Sequence, residues 1–332
     1  MTSHSQARIG ENFNMATYIT NITEAIGNTP LMRLDRIANH FGLEGTIFAK
    51  LEHLNPSFSK KDRIALGMIE FAEQNGLLKP GQPVVEVTSG NTGTSAALVC
   101  TAKGYRFICV MSKGNSVERV KMVEAFGGEV ALIDQAPGAI KGKVSGEDME
   151  LVKEAAAKIV EENDAFYLNQ FESLHNSAAQ KTAGCEMWEQ SGGTLEVFAD
   201  FIGTGGTFGG YARALKEANP QIRCYAVEPH GMGFYKDEII EGTRHGIQGG
   251  GYAKEMPNSD KSIVDGAITV TDEEAVEMTH LLAKKEGIFA GFSSGANLMA
   301  AIKLLQNEEA GKTIGIVIND CGLKYMSTSL WT

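Results

Sequence analysis

Short apolar runs alternate with longer amphipathic ones along most of this chain. GTIFAKLE, PVVEVT, RFICVM, EVALI, VFADFIG, RCYAVEP, GAITVT and IGIVIND are compact, apolar and rich in β-branched residues, which predicts strands. IALGMIEFAEQNG, TSAALVCTAKG, SVERVKMVEAFG and DMELVKEAAAKIVEEN carry helical spacing and end near Gly or Asn, which predicts helices. Strands alternating with helices predict parallel sheets covered on both faces, an α/β fold. A chain of 332 residues exceeds one ordinary compact domain, so two lobes are expected. The lobe boundary is placed between 160 and 195, and GAIKGKVSGED at 138–148 is the most loop-like internal stretch.

Glycine makes up 38 of 332 residues, about 11% against an average near 7%. The excess falls in GNTG, GTGGTFGG, QGGG and GFSSG, which points to loops whose backbone approaches a ligand. A net charge of -11 without a basic patch speaks against nucleic-acid or anionic-membrane binding. No apolar run reaches transmembrane length, and the start, MTSHSQARIGENFNMATY, lacks a hydrophobic signal core and reads as a polar tail. The five cysteines have no CxxC spacing and the histidines no HExxH spacing, so reduced thiols and no metal site are expected.

Three loops can hold chemistry. In EVTSGNTGTSAALV a strand runs through Thr88, Ser89, Asn91 and Thr92 into a helix. The free N–H groups of that helix's first turn, with the hydroxyls, suit a small carboxylate; a plain serine/threonine cap is the alternative. In VFADFIGTGGTFGG, residues Gly203, Thr204, Gly205, Gly206 and Thr207 can wrap backbone N–H groups around a phosphate. Neither the G-x-G-x-x-G nor the P-loop fingerprint is completed there, since Phe208 stands at the third glycine and no Lys-Ser/Thr follows. In FAGFSSGAN, Gly291 to Gly295 spell G-x-S-x-G around Ser293, but no histidine follows in 296–332, which argues against a serine-hydrolase triad. A fourth stretch, NPSFSKKDR, sets Lys60 and Lys61 side by side where a polar loop turns into a helix. A lysine, a phosphate cup, a neutral hydroxyl and a carboxylate seat are together what pyridoxal 5'-phosphate and an amino acid require.

Over residues 20 to 330 the chain resembles the cysteine synthase and cystathionine β-synthase family, the fold type II pyridoxal-phosphate enzymes. IGNTPLMRL, NPSFSKKDR, EVTSGNTG, NQF, GTGGT, VEP, IQGGG, KEGIFAGFSSGAN and GLKYMST carry the likeness, in this order. The resemblance implies a tryptophan synthase β-like architecture of two mostly parallel, twisted sheets. Residues 1–20 would be the tail, 21–165 an N-terminal lobe and 166–332 a C-terminal lobe, with about 28–50 crossing to the other lobe. It implies Lys61 as the lysine that carries pyridoxal phosphate and removes the α-proton. It implies Asn91 on the cofactor ring, Gly203 to Thr207 as the phosphate cup and Ser293 beside the ring nitrogen. Thr88, Ser89, Asn91, Thr92 and Gln170 would seat the substrate carboxylate.

The implied reaction is β-replacement on O-acetylserine, O-phosphoserine or serine, through an α-aminoacrylate, with a nucleophile such as sulfide giving L-cysteine or a related amino acid. The alternatives are β-elimination or hydrolysis of cysteine with release of sulfide, or a cystathionine- or lanthionine-type synthase. A cytoplasmic homodimer is expected from the same resemblance. The chain departs from the family pattern at Gln180, Cys185, QGGGYAKEMP, GFYKDE, Asp320 and Cys321. Gly249, Tyr235 and Asp237 are accordingly expected at the entrance, where leaving group and nucleophile are chosen. Neighbouring side chains on a helix diverge by about 100°, so Lys60 is expected to turn away from Lys61, into solvent. So placed it is expected to be a bystander, its exposed charge screened by solvent; the alternative is that this charge helps to keep a freed Lys61 neutral.

Overall fold

The computed structural model describes residues 18–88, 90–114, 117–138 and 146–331. Most of the expected tail, Ser89 and residues 139–145 of the expected loop lie outside them. The strands form two main sheets. In the smaller, β3 (Val84–Val87), β4 (Phe107–Ser112), β5 (Glu129–Ile133) and β6 (Phe166–Tyr167) run in the order β5-β4-β3-β6, all parallel. In the larger, β1 (Leu31–Arg33), β2 (Thr46–Lys50), β7 (Val197–Phe201), β8 (Arg223–Pro229), β11 (Gly266–Val270) and β12 (Thr313–Val317) run β1-β2-β12-β7-β8-β11. Only β1 is antiparallel to its neighbour there. A short antiparallel ribbon, β9 (Met232–Gly233) with β10 (Glu238–Ile239), stands apart.

The helices are α1 (Asp35–Phe41), α2 (Lys61–Gln74), α3 (Asn91–Lys103), α4 (Val117–Ala125), α5 (Gly146–Glu162), α6 (His175–Gln190), α7 (Gly206–Ala218), α8 (Asp272–Leu281) and α9 (Phe292–Gln306). The eight apolar runs of the sequence are β2, β3, β4, β5, β7, β8, β11 and β12. The parallel-rich α/β expectation therefore holds.

Period-two alternation explains the layers. Val84, Phe107, Cys109 and Met111 face α2 and α3, whereas Val85, Val87, Ile108 and Val110 pack with Val152 and Ala156 of α5. Both faces are covered, so β3 and β4 are buried at every position. The larger sheet is covered in the same way. Val197, Ala199 and Phe201 join the α8–α9 side, and Phe198 stacks on Tyr211 of α7. Thr46 to Lys50 pairs along its length with β12, so the stretch 31–50 is hydrogen-bonded into the larger sheet. The smaller sheet ends at Tyr167.

The two sheets are joined through α2 and α6. A Cβ on Gly67 of α2 would lie 2.5 Å from the Ala179 Cβ of α6, so only glycine permits this approach. Beside it runs a buried charge network. Arg63 binds Glu52 through Nε at 2.8 Å and Glu186 through Nη2 at 2.7 Å, and Lys50 Nζ reaches Glu186 at 2.6 Å. This network fixes the start of α2, and with it Lys61.

Candidate active site

The carboxyl ends of β3, β7 and β12 converge, as is usual for ligand sites in open α/β sheets. Between them lies a cavity of ≈ 380 Å³, room for a small molecule. Lys61, Thr88, Asn91, Thr92, Gln170, Thr204, Gly249 and Ser293 line it. A recess adjoining it is lined by Lys60, Lys61, Asp200 and the Gly203–Thr207 loop. The structure thus brings together residues spread over some 230 positions of sequence.

The lysine loop is held by the chain that leaves β12. Lys60 N donates to Asn319 O at 2.9 Å and Cys321 N to Phe58 O at 3.1 Å, with Ser59 paired to Asp320. Phe58 sits at φ 66°, a conformation costly for a bulky residue and found where surroundings impose it. Lys61 is the first residue of α2 and faces the cavity. Burial pushes its amine down to about 7. The Lys60 ammonium adds to this, and the acidic side chains of Asp200, Glu86 and Asp320 oppose it to the extent that they are ionised.

Lys60 does not turn into solvent. Its Nζ lies 2.9 Å from Oδ2 of Asp200, a wholly buried carboxylate at the end of β7, and its side chain is only 12% exposed. The helical divergence rule fails here because Lys60 precedes α2 and its stem runs toward the larger sheet.

At the start of α3, Gly90 N donates to Thr88 Oγ1 at 3.2 Å and Thr92 Oγ1 to Gln170 Oε1 at 2.6 Å. Asn91 Nδ2 donates to Asp320 Oδ2 at 2.6 Å. Beneath this loop, Glu86 is wholly buried and accepts from Gln170 N at 3.2 Å; burial raises its carboxyl to about 8.

The glycine loop enters α7 through Gly205, which takes the left-handed φ of 80° that favours glycine. Asn176 Nδ2 donates to Thr204 Oγ1 at 2.8 Å. Thr207 Oγ1 is buried without a protein partner, beside the N–H groups of the first turn of α7, which helical geometry leaves free. An orphaned hydroxyl among free N–H groups is the donor set a phosphate takes. Ser293 Oγ accepts from Asn319 Nδ2 at 3.0 Å, which leaves its own proton to donate to an acceptor such as a pyridine nitrogen. The residues present therefore fit pyridoxal phosphate.

Tyr235 and Asp237 are not among the residues that line this cavity. Glu228 accepts the N–H groups of Phe234, Tyr235 and Lys236 and pins the ribbon turn. The Tyr235 ring packs inward with its hydroxyl on Ser259, and Asp237 is exposed. Of the other departures, Gln180 is buried and donates to Lys60 O at 2.8 Å, while Cys185 is exposed.

Sequence reasoning missed Asp200 and Asn319. A lone carboxylate inside the apolar run VFADFIG was the available signal for Asp200. Asn319 carried none. Arg119, hydrogen-bonded to Gln248, and Tyr252 were also missed as lining residues. Among the described residues no cluster of His, Cys, Asp or Glu could hold a metal ion, and no helix is long and apolar enough to cross a membrane.

Residues 22–320 match the family model described as pyridoxal-phosphate dependent enzyme. Cysteine synthase A of Escherichia coli is 40% identical over 317 residues, 92% of this chain and 93% of that one. Among solved structures, O-ureido-L-serine synthase superposes with a TM-score of 0.84 at 33% identity, over 95% of each chain. A hydrogen sulfide-producing enzyme from Fusobacterium nucleatum superposes with a TM-score of 0.84 at 33% identity, over 94% of this chain and 99% of that one.

Proposed function

Since the chain belongs to the pyridoxal-phosphate-dependent enzymes, and within them to the cysteine synthase family, we propose that it replaces the β-substituent of an L-alanine derivative with a nucleophile such as sulfide. The substrates would be O-acetylserine, O-phosphoserine or serine, and the product L-cysteine or a close relative. The observation that carries this reading is the place of Lys61. It lies between a hydroxyl-rich helix start and a glycine phosphate loop, with an amine whose proton affinity sits near pH 7.

Pyridoxal phosphate, when bound, supplies an aldehyde for imine formation and an electron sink for the bond broken at the α-carbon. The chain does the rest. Thr207 and the free N–H groups of α7 would hold the phosphate, and the Ser293 hydroxyl would hydrogen-bond to the ring nitrogen. A neutral serine partner does not keep that nitrogen protonated, which tempers the sink and suits loss of a β-substituent. Thr88, Asn91, Thr92 and the α3 N-terminus bind the substrate carboxylate, joined by Gln170. Lys61, neutral for part of the time at physiological pH, takes the α-proton. Gly249 borders both cavity and recess, and a Cβ there would meet no neighbouring atom within 4 Å, so glycine would keep this side open to the leaving group.

A second reading, release of sulfide from cysteine, draws on the Fusobacterium neighbour and on Asp320, a carboxylate at the cavity where many family members carry serine. Incubation of the purified protein with O-acetylserine, O-phosphoserine, serine or cysteine, each with and without sulfide, separates the two. Sulfide-dependent formation of cysteine supports replacement; pyruvate or sulfide from cysteine alone supports elimination; turnover of none rejects both. The family resemblance further supports a homodimer working in the cytoplasm, and light scattering of the purified chain tests the dimer.

A further inference from the structure

We propose that the Lys60–Asp200 ion pair is a positioning device that sets the proton affinity of Lys61, its two charges acting in opposite directions. Asp200 is wholly buried and grips Lys60 Nζ at 2.9 and 3.3 Å. Asn297 of α9 holds Asp200 Oδ1 from the other side at 2.8 Å. Lys60 itself is fixed through both backbone groups, by Asn319 O and by Gln180 Nε2. Its backbone is thus pinned while the buried Asp200 carboxylate holds its ammonium, and both members of the pair share with Lys61 the recess beneath the phosphate loop. Charges buried there are screened far less than surface charges. The cation disfavours a second proton on Lys61, and the anion favours one. Other titratable groups bearing on Lys61 are Asp320 from the segment after β12 and Glu86 from β3, whose carboxyl is raised to about 8 by burial, and Glu118, Arg119 and Lys324 also line the cavity that Lys61 faces.

The inference rests on Lys61 being the proton carrier of the proposed reaction, so it is tested with two readouts. The first is titration of the Lys61 side chain by NMR in full-length, cofactor-free protein with ¹³C-labelled lysine, the signal assigned by its loss in Lys61→Ala. The second is the acid limb of the kcat–pH profile of the holoenzyme. Lys60→Met should raise the Lys61 midpoint by about one unit and Asp200→Asn should lower it by a similar amount. The double variant, an apolar replacement of the pair, should return near the parent, and Lys60→Arg, which keeps the charge, should leave the midpoint in place. A purely structural pair would lower stability or kcat without moving the two midpoints apart. Midpoints of both single variants within about 0.2 unit of the parent, or moving in the same direction, would overturn the proposal. If Lys60→Met does not fold, Lys60→Gln against Lys60→Arg gives the same contrast. The NMR titration needs no turnover, so a coupled Lys61 in a protein without β-replacement activity would count against the proposed function and not against the pair.

Discussion

Asn91 and Asp320 are joined at 2.6 Å, amide to carboxylate, so the first residue of α3 is tied to the segment that also holds the lysine loop. The Tyr325 hydroxyl meets the Asp320 carboxylate oxygen that Asn91 binds. The residue expected beside the cofactor ring is thus oriented by an acid where many family members have serine. Asp320→Asn keeps the shape and removes the charge. Since the Asp320 anion raises the proton affinity of Lys61, its loss should lower it, and the acid limb of kcat should move to lower pH by up to about one unit. A limb that moves upward would contradict this account.

The parent enzyme should lose activity as pH falls through about 7, because the base is the unprotonated Lys61 amine. Lys61→Ala removes both base and cofactor attachment. It should reduce turnover by at least about 10³-fold and abolish the yellow chromophore while leaving the fold intact. Borohydride reduction of the parent followed by peptide mass spectrometry should place the pyridoxyl group on Lys61. A label on Lys60 would contradict the assignment.

Thr207 Oγ1 is buried with no protein partner, a group that costs free energy until something binds it. Thr207→Val should weaken pyridoxal phosphate binding about tenfold, equivalent to about 1.4 kcal/mol, measured by fluorescence titration of the cofactor-free protein. Because the unpaired hydroxyl is removed, the variant freed of cofactor should be no less stable than the parent.

Glu186 connects Lys50 and Arg63 between the two sheets. Burial alone would raise its carboxyl, but the hydrogen bonds from Arg63 and Lys50 outweigh this and bring it down to about 2. Its folded value thus lies below the ordinary 4.5, so its stabilising contribution is complete above that pH and lost as pH falls toward about 2. Glu186→Ala leaves two buried cations to share Glu52 and should cost about 3–5 kcal/mol, read from urea unfolding. The deficit should shrink progressively below about pH 4.5.

Much of this architecture was legible because parallel strands buried on both faces must be apolar throughout. RFICVM and PVVEVT announce themselves without reference to any partner. Strands of two or three residues, β1, β6, β9 and β10, carry too few side chains to show a period and owe their extended form to their neighbours. The site loops were legible for a local reason also. GNTG and GTGGT encode free backbone N–H groups at helix starts, a property of a few consecutive residues.

What the sequence by itself determined, then, is the alternation of strands and helices and the residue types of each loop, and its family likeness points to Lys61. Which side chains meet was decided by the tertiary structure alone. Lys60 and Asp200 stand 140 residues apart, and their pairing depends on how α2 lies against the larger sheet. Tyr235 and Asp237 were expected at the entrance because they follow VEP, but neither lines the cavity, and the turn that carries them is held by Glu228. Loop chemistry is local, whereas the direction of a lysine stem and the partner of a buried carboxylate depend on contacts between segments distant in the chain, which no stretch read alone contains.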